Sequence, residues 1–210
     1  MTIIPSMFQD AYVKSDRRET EDLLVTLKPH LEGGAFPADT TVIMTRPLSF
    51  YPGYTFIDIA DHATLPARRR FVLQKDDDTV VLDFTNAPIY ALNERCPLRL
   101  DDKNISDYVR FFFTFVRGRH GRFMICESVD DIHWREEPPP AARKAVAKML
   151  TPLDIVSRDE TGTVHFKTQM IFKDTLFEAD IEVHASGMVK LSNEKLLIED
   201  MPVMDDTFGQ

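Results

Sequence analysis

The clearest pattern in the chain is an alternation of apolar and polar residues near its C-terminal end. Between Phe177 and Ala185 every second residue is apolar, and the residues between them are polar or charged. Val164–Phe172 alternates in a similar way, and the short link Lys173–Thr175 between the two runs indicates an antiparallel hairpin. A further turn at Ser186-Gly187 leads into Met188–Leu191. The sequence therefore predicts a β-meander with one buried and one solvent-facing side.

Shorter strand signals occupy the first half of the chain. Thr41–Met44 and Thr55–Ile59 are rich in β-branched and apolar residues, which favour strands. Arg70–Gln74 and Thr79–Phe84 flank the acidic run Asp76–Asp78, an arrangement that predicts a second hairpin. The run lacks the spaced acids, glycine and distal glutamate of a calcium-binding loop, so we interpret it as a solvated turn.

Helical spacing of apolar residues predicts three helices. The first is expected over Asp16–Lys28, with Ser15 as its N-cap. The last is expected over Ala141–Leu150, directly after Pro138–Pro140, because proline is tolerated at a helix start. Residues 85–103 are expected to be irregular. The residues expected to face inward from these two helices are Leu23, Leu24, Leu27, Ala142, Ala145, Val146 and Met149.

The central helix is expected over Ile105–Arg117 and is the most apolar of the three. Asn104 and Asp107 have the spacing of a capping box, and Gly118 suits the left-handed position that ends a helix. Apolar residues cover a broad face and leave only a narrow polar strip. This helix is therefore expected to be mostly buried.

These elements together predict an α+β fold. We expect a curved, mostly antiparallel sheet with two or three helices packed on it and the C-terminal β-meander at its end. The prediction for domain organisation is one domain over residues 1–210. A stiff proline spacer at Pro138–Pro140 leaves open the alternative of two domains, 1–137 and 141–210.

Charge and cysteine content narrow the choice of partners. The chain has 210 residues and a formal net charge of -9, whereas nucleic-acid binders usually carry basic excess, so no nucleic-acid partner is expected. No signal peptide or membrane-spanning run is recognisable, and Cys96 and Cys126 have no metal-ligand spacing. Cys126 is expected to be a buried free thiol. We therefore predict a cytoplasmic protein with no membrane association, cofactor or metal.

A basic turn stands out against the acidic background. Arg117, Arg119, His120 and Arg122 fall within six residues that also include two glycines. Arg117 is explained by the attraction of cations to a helix C-terminus. Arg119, His120 and Arg122 lie beyond the helix, where they would bind a carboxylate or phosphate of a protein or small anionic ligand. The alternative is a solvated or internally paired turn, and the same alternative applies to Arg68–Arg70.

A second candidate combines acids, a histidine and aromatic residues. Such a group would serve as an acid–base site or line a pocket, and the alternative is an ordinary acidic loop beside a core of aromatic side chains. Its members are Phe112, Phe115, Glu127, Asp130, Asp131, His133 and Trp134. Nucleophile elbows, P-loops and dinucleotide fingerprints are absent from the sequence, so no catalytic residue is predicted.

Three functional hypotheses follow from these observations. The leading one is a non-catalytic binding or adaptor protein that captures an acidic partner through the basic turn. The alternative is a small-molecule carrier or enzyme with a pocket between the Phe-rich helix and the sheet. The third is a homo-oligomer that pairs through the exposed edge of the C-terminal meander.

Overall fold

The chain divides into two compact units in the computed structural model, which describes residues 12–96 and 98–204. The boundary falls between Arg99 and Leu100. The Pro138–Pro140 spacer lies inside the second unit, and the prediction of one domain or of a split at these prolines stays a prediction. Residues 1–10, where no signal peptide is recognisable in the sequence, lie outside the described part.

The first unit contains a five-stranded antiparallel sheet in the order β1-β2-β3-β4-β5. The strands are β1 (Val13–Lys14), β2 (Thr41–Pro47), β3 (Thr55–Asp61), β4 (Arg68–Lys75) and β5 (Asp78–Leu82). The predicted hairpin around the acidic run is confirmed, since Lys75 pairs with Asp78 and Asp76 adopts a left-handed turn conformation with φ of 50°. The turn is solvent-exposed at Asp76 and Asp77.

Two helices accompany this sheet, α1 (Arg17–Leu27) and α2 (Ala87–Arg95). Leu27 of α1 is fully buried, and Leu23 and Leu24 pack against the same cluster, as predicted. That cluster lies on one face of the sheet and includes Phe36, Ile43, Ile57, Ile59 and Val72. Helix α2 falls in a stretch expected to be irregular, because only Ile89 and Leu92 of its nine residues are buried and its apolar periodicity is weak.

The N-cap of α1 differs from the predicted one. Asp16, and not Ser15, accepts a hydrogen bond from the backbone N–H of Glu19 at 2.9 Å. The Glu19 carboxylate accepts one from the Asp16 backbone N–H at 2.9 Å, which completes a capping box. Asp16 has its glutamate partner three residues later, a spacing that Ser15 lacks.

The second unit contains a strand run in the order β10-β9-β8-β6, with β7 also paired to β8. Its elements are α3 (Ile105–Phe115), β6 (Phe123–Ile125), α4 (Pro140–Ala147), β7 (Ile155–Arg158), β8 (Val164–Phe172), β9 (Thr175–Val183) and β10 (Val189–Ile198). The predicted C-terminal meander is confirmed as β8, β9 and β10, all antiparallel, but β8 is buried on both faces over Thr168–Ile171, where one solvent-facing side was expected. β10 is the edge strand, and its ladder is irregular between Ser192 and Lys195.

Helix α3 is buried as predicted, but its two ends differ from the prediction. The helix stops at Phe115, and Val116 is extended. Gly118 pairs with Gly121 in a β-bridge and does not serve as a left-handed cap. At the other end Asn104 caps no helical N–H through its side chain. Its side chain accepts instead from the backbone N–H of Asp101 at 2.9 Å, so the expected capping box is absent.

Helix α4 begins with Pro140 at its first position, in agreement with the sequence pattern. Val146 is buried, but Ala142, Ala145 and Met149 are exposed, so the prediction that they face inward is wrong. The helix is only eight residues long, and one apolar residue suffices to attach it to the core. Its remaining apolar face stays at the surface.

The predicted α+β class with mostly antiparallel strands is confirmed. The strands form two five-stranded sheets, and four α-helices lie within residues 12–96 and 98–204. In that described part, no helix is long and apolar enough to cross a membrane. Cys96 and Cys126 are buried free thiols, as expected for Cys126.

Candidate functional site

The basic turn forms a tight bridge between α3 and β6. The backbone N–H of Gly121 donates to the Gly118 carbonyl at 3.3 Å, and Arg119 and His120 are exposed at the tip. A Cβ on Gly118 would lie 3.0 Å from the Phe123 ring and one on Gly121 would lie 3.1 Å from the Phe172 ring, and Gly121 also has a φ of 151° that favours glycine. The glycines are therefore explained by packing.

The arginines that flank the tip are half-buried. Burial lowers the pKa of Arg117 below its usual value, and guanidinium nitrogens of Arg122 are also removed from solvent. Arg119 and His120 thus share an exposed tip, while Arg122 differs from them in exposure. Anion or partner binding by Arg119, His120 and Arg122 stays a prediction.

The second basic run stabilises the first unit. Arg68 donates to the carbonyl of Gly33 at 2.8 Å, also donates to that of Ala35, and lies 4.0 Å above the Phe36 ring. Arg69 donates to both carboxylate oxygens of Asp58, at 3.3 and 2.6 Å. These contacts favour the structural alternative for Arg68 and Arg69.

Glu127 lies in an ion pair between α3 and the loop after β6. Arg110 donates to its two carboxylate oxygens at 2.6 and 2.7 Å, and the backbone N–H of Leu153 donates at 2.8 Å. Burial alone would raise the pKa of Glu127, but these hydrogen bonds outweigh it and hold the pKa below its usual value. The carboxylate is therefore a charged structural acceptor.

The two aspartates of the candidate loop are also engaged. Asp131 accepts hydrogen bonds from the backbone N–H of Ser128 at 2.7 Å and of Glu127 at 3.0 Å, closing a 3-10 turn at Val129–Asp131. Asp130 pairs with Arg143 of α4. The backbone carbonyl of His133 accepts from Met204 at 2.7 Å. Nowhere in residues 12–96 and 98–204 do three or more histidines, cysteines or acids form a metal-ligand group.

Phe112 and Phe115 are core residues of α3. They are 5% and 1% exposed, and their rings lie 5.5 Å from Phe113 and 5.0 Å from Phe111. Close aromatic packing of this kind fills a core. A ligand pocket beside them, and with it the small-molecule alternative, stays a prediction.

Trp134 lines an open groove of about 390 Å³ in the second unit, which we call the acid-rimmed groove. Its apolar lining comes from the prolines before α4, the exposed face of α4 and the chain after β10. These residues are Trp134, Pro138, Pro139, Ala142, Ala145, Val146, Ile198, Met201 and Pro202. Four acids complete the lining: Glu136, Glu137, Glu199 and Asp200.

Short backbone bonds hold the walls of the groove in place. Trp134 forms a β-bridge with Val203, and the Arg135 N–H donates to the Pro202 carbonyl at 2.8 Å. The indole is partly buried against the core cluster that contains Val146 and Met201. The floor of the groove is therefore continuous with a packed core.

Ion pairs fix the helical wall. Arg143 of α4 binds Asp130 on one side and Glu137 at 2.8 Å on the other. Of the sequence candidates, Trp134 lines the groove and Asp130 supports it through Arg143. Glu127 and Asp131 stabilise the loop that leads to Trp134. The candidate acids thus support a surface that Trp134 shares with other residues.

The four rim acids were missed by the sequence reasoning. Glu136-Glu137 precede the prolines, while Glu199-Asp200 follow β10, and about sixty residues separate the two pairs along the chain. Residues 151–210 contain twelve acids against five Lys and Arg, and this surplus is a signal for Glu199 and Asp200 alone. No protein family, curated protein or solved structure matches the chain.

Proposed function

We propose that the protein is a non-catalytic binding or adaptor protein that captures a segment of a partner protein in the acid-rimmed groove. The observation that carries the proposal is the groove itself, where an exposed apolar helix face meets Trp134 and Pro138. A volume of about 390 Å³ suffices for one or two side chains of a partner. Tryptophan is enriched among the residues that contribute most to binding at protein interfaces, and Trp134 lines this groove.

The shape of the groove favours a protein segment over an enclosed small ligand. Small-molecule sites bury most of the ligand surface, whereas this groove is open to solvent. The exposed alanines of α4, Ala142 and Ala145, leave room for a partner backbone to approach closely.

Buried free thiols at Cys96 and Cys126 support a reducing compartment such as the cytoplasm.

A peptide-display selection on the full chain tests this proposal. We expect random peptides to be enriched on the native chain and to lose binding when Ala145→Arg fills the groove. Ala147→Arg is the matched control, because Ala147 is an exposed residue of the same helix that does not line the groove. The control should retain binding within about twofold.

Two results contradict the proposal. One is a selection that enriches no peptide. The other is a set of enriched peptides that bind Ala145→Arg as tightly as the native chain. Both variants change exposed positions, and their unfolding transitions should match that of the native chain.

A further inference from the structure

The charge on the rim of the acid-rimmed groove distinguishes among possible occupants. Glu136, Glu199 and Asp200 are exposed, and within residues 12–96 and 98–204 their carboxylates have no ion pair or hydrogen bond. Glu137 is paired with Arg143, which also binds Asp130. Among the described residues that line the groove, four are acids and none is Lys, Arg or His.

We propose that the occupant is a basic segment of a partner protein. Lys or Arg side chains of the segment bind the carboxylates of Glu136, Glu199 and Asp200, and an apolar side chain of the same segment lies against the exposed Pro139 and Ala145. The inference rests on the proposed function, since it names the chemistry of the segment that the groove captures.

The apolar lining suits basic side chains as well as purely apolar ones. Lys and Arg carry long aliphatic stems that cover apolar surface while the charged end stays near water. Among the aromatic residue types, tryptophan attracts a cation to its ring face most strongly, and Trp134 lines the groove. Acids beside an apolar floor therefore complement both parts of such a side chain.

The acids lie beside the apolar lining of the groove, so they attract basic side chains to the groove itself. Glu136 belongs to the segment before α4, Glu199 and Asp200 belong to the turn after β10, and the bridge between Trp134 and Val203 joins these two segments beside the groove. The backbone of Asp200 adopts a left-handed conformation with φ of 54°. The net charge of -9 adds a long-range attraction for basic partners, which salt screens.

Three peptides of equal length test the inference in isothermal titration calorimetry with the full chain. They share the same Leu and Pro positions, and their remaining positions are all Lys, all Gln or all Glu. We expect the Lys peptide to bind roughly tenfold more tightly than the Gln peptide, and the Glu peptide to bind most weakly. Higher salt should weaken the binding of the Lys peptide and leave the binding of the Gln peptide unchanged.

A matched pair of double variants separates the rim from the overall charge. Glu136→Gln with Glu199→Gln should weaken the Lys peptide by about three- to tenfold. Glu160→Gln with Glu194→Gln removes the same charge from exposed sites outside the groove and should cost less than about twofold. Asp200→Asn is a further rim variant, because asparagine tolerates the left-handed backbone.

The possible failures are distinguishable. Equal binding of the Lys and Gln peptides, or equal losses in the two double variants, overturns the basic segment and leaves the proposed function standing. Tight binding of free spermine without binding of the Lys peptide assigns the groove to a small cation and also overturns the inference. If none of the three peptides binds, the inference fails, and the peptide-display selection decides separately whether the proposed function stands.

Discussion

Arginine–carboxylate contacts occur at the residues that the sequence offered as candidate chemistry. Arg110 binds Glu127 with two hydrogen bonds, and Arg143 binds Asp130. A bidentate contact of this kind fixes two segments in one orientation, because the planar guanidinium matches the carboxylate. Residue type therefore indicated that these acids matter, but their structural partners are distant in sequence.

Asp58 is the buried carboxylate with the clearest effect on pH dependence. Its pKa is raised from 3.8 to about 6 by burial, against the opposing effect of Arg69. Between pH about 4 and 6 the folded chain therefore binds a proton that the unfolded chain has lost. The contribution of Asp58 to the free energy of unfolding should fall by about 3 kcal/mol as pH rises through this window.

Urea unfolding of the native chain and of Asp58→Asn across this pH range measures that contribution. The difference, native minus variant, is expected to decrease from pH 4 to pH 6. Asp61→Asn is the control on the same strand. Hydrogen bonds from the Ala63 N–H and the Thr40 hydroxyl lower the pKa of Asp61, so its difference should increase with pH mainly below about pH 4 and stay nearly constant from pH 4 to pH 6. If the difference in free energy of unfolding between the native chain and Asp58→Asn stays constant from pH 4 to pH 6, the raised pKa of Asp58 is contradicted.

Elements with a strong period could be predicted from sequence, and elements held by few contacts could not. The alternation in β8 and β9 specified their pairing, since one face of each strand is largely buried. The broad apolar face of α3 likewise indicated its burial. Helix α2 has only two buried residues, so its apolar pattern is too weak to predict a helix. The prolines before α4 predict where that helix starts, but its apolar residues Ala142 and Ala145 are exposed and not buried.

The N-terminus of α1 provides a test at the scale of one element. Asp16→Ala removes the side chain that accepts from the Glu19 N–H and should lower the free energy of unfolding by about 1 kcal/mol. Ser15→Ala removes the cap expected from sequence alone and should change it by less than about 0.5 kcal/mol. Chemical denaturation measures both. A larger loss for Ser15→Ala than for Asp16→Ala would contradict the observed cap.

At the scale of the whole molecule, an acidic chain forms two compact units, and one of them has the acid-rimmed groove. Its existence was not predictable from sequence, because it depends on the chain after β10 returning beside Trp134. The α+β class was predictable because periodicity is a local property. The groove depends on long-range contacts, which a single sequence does not reveal.

Trp134 is the only tryptophan of the chain, so its fluorescence reports directly on the groove. The most direct measurement is a titration of the full chain with the Lys peptide while the Trp134 emission is recorded. We predict a saturable change that is absent in Ala145→Arg and retained in Ala147→Arg. Emission that stays unchanged on addition of the Lys peptide, or that changes equally in Ala145→Arg, would contradict binding of a basic segment in the groove.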